Sequence, residues 1–296
     1  MNYNSKNDND ENWKIELRAK FISILCGHKS LYEDIGYYYQ CFAPASIYKY
    51  YKDTNQNFEA IKSNQMWYST PSKFNDVFDC EVVVDKDNLL NSLLQTQKKV
   101  RNGSPMWKQA KLQVQKEAIN LQGIFEKMRS EMGITCLSEV DDSLLMWAHY
   151  ANNHHGFCAE YDLMEFNKQL QFTPVPVIYS EDRVMFDSLN PETAEEDIMR
   201  VFIEGITSKS PEWSYENEWR IIRDDSACGD KWDDVNKGAL LESIRPSSII
   251  LGCEADKDFE NEIYEHCNAN KINLFKMEKD RNRYQLNKKE ILIFDD

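Results

Sequence analysis

Residues 146–162 read MWAHYANNHHGFCAEYD, and three of the five histidines of the chain lie within them. The first half has helical spacing: Met146, His149, Tyr150 and Asn153 share one face of a helix, with Trp147 and Ala151 beside it. The second half, GFCAEYD, alternates as a strand. The segment therefore predicts a helix that stops near Asn152–Gly156, with Gly156 in the left-handed closing position, and turns into a core strand. Upstream, Asp141-Asp142-Ser143 supplies the helix cap and an acidic first turn. Two readings stand for the histidines. His154 and His155 either finish the helix, where its carbonyl ends favour imidazolium, or join a ligand site. His149, expected mid-helix among aromatics, is either a buried neutral histidine on a backbone carbonyl or a group that orients a ligand.

Working outward, SIYKYY (46–51), QMWYS (65–69), a run from Cys80 to Val84, ITCLS (134–138), PVPVIYS (174–180), the stretch from Glu218, GALLESI, SSIILGCE, NLFKME and ILIFDD read as strands. A helical insertion covers about 86–132. Its second half, opened by Asn102-Gly103-Ser104-Pro105, carries Trp107, Ala110, Val114, Ala118, Leu121, Phe125, Met128 and Met132 on one face, a core face or a dimer seam. Further helices are expected from Asn190-Pro191 to about Thr207 and over 256–268. The resulting fold class is α+β, with a mixed, mainly antiparallel sheet and a helical insertion. Residues 1–12 read as a disordered tail and 13–296 as a single domain.

Composition narrows the functional classes. The chain has 296 residues, 42% hydrophobic, and a formal net charge of −15. That field repels a phosphate backbone at long range and argues against a broad nucleic-acid grip. No run of 18 apolar residues marks a membrane span, and no secretion signal is legible at the N-terminus. The eight cysteines form no CxxC and no HExxH is present. That pattern reads as reduced thiols in a cytoplasmic protein with no metal site.

Three segments could carry chemistry. The first is 146–162. In the second, WSYENEWRII (213–222), Glu216 and Glu218 fall two apart on one strand face, followed at the same interval by Arg220. This is either a pair of carboxylates with altered acidity or a Glu–Arg ion pair. In the third, MWYSTPSKFNDVFDC (66–80), Ser69 and Thr70 end a strand and Asn75, Asp76 and Asp79 follow. The turn role, with the acids bonding their own backbone, is preferred to Mg²⁺ binding.

In this order, IYKYY, WYSTPSKFNDVFDC, ITCLSE, LLMWAHYANNHHGFCAEYD, VIYSE and YENEWRII resemble a bacterial and phage-associated family of domains of unknown function, the DUF 2971 type. Its pattern runs YKY, W/F-x-S…FNDPFD, WxHYAxxHxGFCxEY and YExEWR. Val77 stands where that pattern has Pro. The order of residues is also similar to that of ADP-ribosyltransferases, which build a split sheet around NAD. That likeness implies Glu218 as the catalytic carboxylate with Glu216 assisting and His149 in the same cleft. It places Tyr48, Tyr50, Tyr68, Ser69, Thr70 and Tyr150 around the nucleotide. NAD would be the substrate and a protein or nucleic acid the acceptor, in a toxin or phage-defence effector. Two other readings are carried beside it: a Mg²⁺-dependent phosphodiesterase or nuclease using Asp76, Asp79, His149 and Glu160, and a non-catalytic module that binds a nucleotide or a partner protein.

Overall fold

The computed structural model describes residues 12–28, 31–96, 100–170, 173–187, 194–224 and 228–291. All but Asn12 of the expected tail, and the Asn190-Pro191 helix start, lie outside them. In chain order the elements are α1 (Asn12–Leu25), α2 (Tyr32–Cys41), β1 (Ser46–Tyr51), α3 (Asn55–Lys62), β2 (Gln65–Ser69), β3 (Val83–Val84), α4 (Lys86–Thr96), α5 (Pro105–Ser130), β4 (Met132–Ser138), α6 (Leu144–Tyr150), β5 (Phe157–Asp162), α7 (Leu163–Leu170), β6 (Val175–Pro176), β7 (Ile178–Tyr179), β8 (Met185–Phe186), α8 (Ala194–Ile206), β9 (Ser208–Lys209), β10 (Glu218–Asp224), β11 (Trp232–Asp233), β12 (Gly238–Glu242), β13 (Ser248–Leu251), α9 (Lys257–Asn270), β14 (Asn273–Lys279) and β15 (Leu286–Ile291). This is an α+β protein with a mixed, mostly antiparallel sheet. No helix among the described residues is long and apolar enough to cross a membrane. All eight cysteines are free thiols, and Cys80, Cys158, Cys228 and Cys267 are buried.

The chain packs as two compact units. The first comprises Met1–Tyr38, Thr70–Met132 and Ile178–Pro211; the second comprises Tyr39–Ser69, Gly133–Val177 and Glu212–Asp296. The first holds the helical insertion, which is two helices, α4 and α5. Ser104 caps α5 by accepting the Trp107 N–H at 3.2 Å. Of the predicted stripe, Ala110, Val114, Ala118, Leu121 and Phe125 are its buried face, Trp107 and Met128 are half-buried, and Met132 lies past the helix end, where it opens β4. The turn role read for Asp76 is also what the structure shows: Asp76 Oδ1 accepts the Phe78 N–H at 2.9 Å.

The second unit holds the large sheet. Its strands run β11-β12-β2-β4-β1-β5-β13-β14-β15, and the sheet branches at β4, where β10 joins it and continues to β6. β1 shows why the sequence pairs as it does. Ile47 and Tyr51 are buried on one face, while Tyr48 and Tyr50 alternate to the other, opposite Glu160 and Cys158 of β5. β13 and β14 pair in parallel, which requires a crossover between them. That crossover is α9, capped by Asp256 onto the Asp258 N–H at 2.9 Å and closed by left-handed Lys271.

α6 lies on the Tyr48/Tyr50 face. Met146, Trp147 and Ala151 pack with Tyr50, Cys158, Ile250, Met277 and Leu286. The predicted Ser143 cap forms, accepting the Met146 N–H at 3.4 Å. The helix stops earlier than its spacing suggests, at Tyr150, so His149 is its penultimate residue and is exposed, and His154 and His155 lie beyond it. The left-handed residues are Asn152, Asn153 and His154, the types that tolerate that backbone, and Gly156 is not among them. Gly156 is needed for a different reason: a Cβ there would overlap the carbonyl oxygen of Tyr51. Gly156→Ala is accordingly expected to destabilise the protein by more than about 1 kcal/mol, the scale of overpacking in a close-packed interior. A shift of the urea midpoint at constant slope measures it.

Candidate functional site

The side chains that could do chemistry in the second unit gather where α6 meets the turn leading into β10. That turn is a 3₁₀ helix, Pro211–Glu216, anchored when Ser138 Oγ donates to the Glu216 carbonyl at 2.6 Å. It delivers Glu216, only 3% exposed, to the Tyr150 hydroxyl, which donates to Glu216 Oε1 at 2.5 Å. The Tyr215 ring stands 6.3 Å from the His149 ring and 6.1 Å from the Trp213 ring, and His149 is 6.2 Å from Tyr150. The result is a half-buried aromatic wall beside a buried carboxylate, made from the two motifs that the sequence holds more than 60 residues apart. Such a wall offers ring faces for stacking and for cations.

Tyr48 and Tyr50 share the face on which α6 packs. Tyr50 is the more buried. Its ring meets Trp147 edge-on at 5.3 Å and its hydroxyl donates to the Val140 carbonyl at 2.8 Å. Burial holds its phenol well above the usual range, with nearby Cys158 and Asp141 adding to the shift. Tyr48 is half-buried, and its hydroxyl reaches Glu160 Oε1 at 3.5 Å. Ser46 and Ser248 also donate to that carboxylate, at 2.6 and 2.5 Å. Burial, followed by the charges of Asp141 and Glu160, raises the Tyr48 phenol, so it is a neutral donor at pH 7. Over the Tyr48 ring lies Lys288, 5.7 Å from its centroid and ion-paired to Asp141 at 2.5 Å.

Glu218 is placed differently from Glu216. Arg220 grips it with two hydrogen bonds, Nε to Oε1 at 2.8 Å and Nη2 to Oε2 at 3.0 Å, and both side chains are buried, at 4% and 0% exposure. Cys136 lies against the pair. Burial first, then the Glu218 charge, pushes its thiol up. Lys49 donates to Thr135 Oγ1 at 2.7 Å and feels the Glu218 charge, although burial lowers its ammonium on balance. Of the two readings of the Glu-x-Glu-x-Arg row, this geometry is that of the ion pair.

The early segments divide. Tyr68 is 1% exposed, on the opposite face from Tyr48. The register pairs Tyr48 with Ser138 and Ser69 with Ile134, so alternation along β4 puts Ser69, not Tyr68, on the Tyr48 face. Tyr68 instead sits with Tyr51 and Tyr161, its phenol raised by burial against the opposing pull of Arg223. Thr70 is buried at the start of the other unit, its hydroxyl directed to the Arg129 carbonyl at 3.5 Å. The structure thus gathers His149, Tyr150 and Glu216 into one cluster, on the face that carries Tyr48 and Tyr50, and it does not bring Tyr68 there.

The acids of the Mg²⁺ alternative are occupied otherwise. Asp79 pairs with Lys209 at 3.7 Å, and among the described residues no group of three His, Cys, Asp or Glu side chains is arranged to hold a metal ion. Sequence reasoning missed Trp213, Tyr215, Ser46, Ser248 and Lys288. The aromatic pair was visible in WSY, but nothing in the sequence links Lys288 or Ser248 to Tyr48.

No curated protein and no solved structure matches the chain. One family model does, and the matched segment contains both partners of the Tyr150–Glu216 contact. Residues 146–221 match the family described as "Protein of unknown function (DUF2971)", the family that the motifs resemble.

Proposed function

We propose that the second unit carries an NAD site and that the protein is an ADP-ribosyltransferase-like enzyme whose working carboxylate is Glu216. The observation that supports this reading is the 2.5 Å contact from the Tyr150 hydroxyl to a nearly inaccessible Glu216, next to the ring faces of His149, Tyr215 and Trp213. The cationic nicotinamide ring stacks on the aromatic wall. As the C1′–N1 bond breaks, its electron pair leaves with nicotinamide and positive charge grows on the ribose. A fixed carboxylate in a poorly solvated position stabilises that charge. An acceptor nucleophile, a protein side chain or a nucleic-acid group, then bonds to C1′ and releases its proton. Consumption of NAD in the cytoplasm suits a toxin or phage-defence effector, the role proposed here.

The test is nicotinamide release from NAD by the purified chain, alone and with cell extract. Tyr150→Phe is expected to lower turnover about tenfold or more, the scale of a hydrogen bond to a charged group, and, because Glu216 is buried, to cost about 1–3 kcal/mol of unfolding free energy, so rates are compared per folded molecule well below the urea transition. Absence of release under both conditions overturns the enzyme reading.

One observation favours a second reading. The carboxylate first expected to catalyse, Glu218, is bound on both oxygens by Arg220. A site with its late-strand acid so neutralised fits a module that binds a nucleotide without turning it over. NAD binding in calorimetry without nicotinamide release identifies it.

A further inference from the structure

The hairpin joining β14 to β15 carries a second feature that the Tyr150–Glu216 site does not use. The strands bear four lysines, and each is ion-paired: Lys276 with Glu260, Lys279 with Glu254, Lys288 with Asp141 and Lys289 with Glu278. The two arginines of the connecting loop, Arg281 and Arg283, are exposed, and no carboxylate lies within ion-pair distance of them among the described residues. In a chain with 50 acidic and 35 basic side chains, the loop thus presents two guanidinium groups two residues apart.

The loop that carries them is fixed. Asp280 Oδ1 accepts the N–H groups of Asn282 and Arg283 at 2.8 and 2.9 Å, and Oδ2 accepts from Asn287 at 3.1 Å. Asp280 N–H in turn donates to the Gln285 carbonyl at 3.0 Å. The one acid of the loop is thereby committed to two backbone N–H groups and the Asn287 side-chain amide and does not pair with the arginines. Next to them Tyr284 is fully exposed, so its ring has both faces open. Beneath lies a groove of about 600 Å³ lined by these residues together with Leu144, Leu286 and His154.

We propose that this groove binds a nucleoside monophosphate. Arg281 and Arg283 hold the phosphate, for which the guanidinium fork is suited. Tyr284 stacks on the base, and Leu144 and Leu286 form the apolar floor. Anchoring the loop through Asp280 reduces the ordering cost of binding. Charge and ring supply the specificity jointly: a bare phosphate lacks the stacking partner and an uncharged nucleoside lacks the anion. This site is separate from the one assigned to NAD and does not depend on it.

AMP is the probe, titrated into the full chain by calorimetry at low and moderate salt. Saturable binding is expected, about tenfold or more tighter than adenosine or inorganic phosphate, and weakening as salt rises. Arg281→Ala/Arg283→Ala, at exposed positions with no partner to lose, is expected to cost about tenfold or more. Tyr284→Ala is expected to weaken AMP and leave inorganic phosphate unchanged. Tyr215→Ala, which removes a ring of the wall assigned to NAD, is expected to leave AMP binding intact, which separates this proposal from the NAD reading. Equal affinity for AMP and adenosine, or an arginine double variant that binds as the parent does, overturns the proposal. So does tight binding of a thymidine octamer that AMP does not displace, because the groove then serves nucleic acid instead of a free nucleotide.

Discussion

Arg220→Met is expected to remove about 3–5 kcal/mol of unfolding free energy, the largest stability effect of any single change considered for this chain. Arg220 is wholly buried and holds both oxygens of an equally inaccessible Glu218. Removing it leaves a carboxylate without its neutralising partner, and the nearby Lys49, already engaged by Thr135 and the Cys136 carbonyl, cannot replace two charge-assisted hydrogen bonds. The stranded carboxyl will answer by holding its proton, so its pKa in the folded variant rises above its unfolded value of about 4.3. The sign follows. Between those two values the folded variant binds more protons than the unfolded chain, so its stability falls as pH rises through the raised pKa and recovers on acidification toward about pH 5. The deficit measured by urea unfolding should therefore be larger at pH 8 than at pH 5. Glu218→Gln combined with Arg220→Met should recover much of the loss, because it takes away the charge as well as its partner. A deficit below about 1 kcal/mol at both pH values would mean that the pair is not an internal ion pair of the folded state.

The same strand shows what could be read from sequence. The i, i+2 spacing of Glu216, Glu218 and Arg220 announced a row of charges on one face, and β10 begins at Glu218 as the alternation predicts. What spacing could not announce was the break between them. Glu216 ends a 3₁₀ turn, whereas Glu218 opens the strand, so the two acids serve different neighbours. The apolar stripe of α5, the Ser143 cap and the alternation of β1 were legible because each is a local pattern with its own period or capping chemistry. The two-residue strands β3, β6, β7, β8, β9 and β11 are too short to carry any period. The separation of Tyr68 from Tyr48 depends on how β2 and β1 each register against β4, a non-local property that one residue of slip would reverse. Gly156 shows a related limit: a glycine after a helix suggests a left-handed backbone, but here the reason is the nearness of a strand that the local sequence does not reveal.

Glu216→Gln is expected to lower NAD turnover about 100- to 1000-fold, the range found when one preorganised charge-stabilising group is removed from a transition state. The substitution preserves shape, and the amide oxygen can still accept from the Tyr150 hydroxyl, so the fold loses little; what is lost is the negative charge beside the developing ribose cation. The effect should fall on turnover more than on NAD affinity, since ground-state NAD owes much of its binding to stacking on the wall made by His149, Tyr215 and Trp213. Glu218→Gln provides the contrast. It too removes a carboxylate, but one engaged by Arg220, and so it should unfold the protein at lower urea while sparing the per-molecule rate of what remains folded. A kinetic loss confined to Glu216 and a stability loss confined to Glu218 would assign the two acids their separate roles. If instead turnover persists in Glu216→Gln and vanishes in folded Glu218→Gln, the ion-paired acid is the catalyst, and Arg220 must release it when NAD binds.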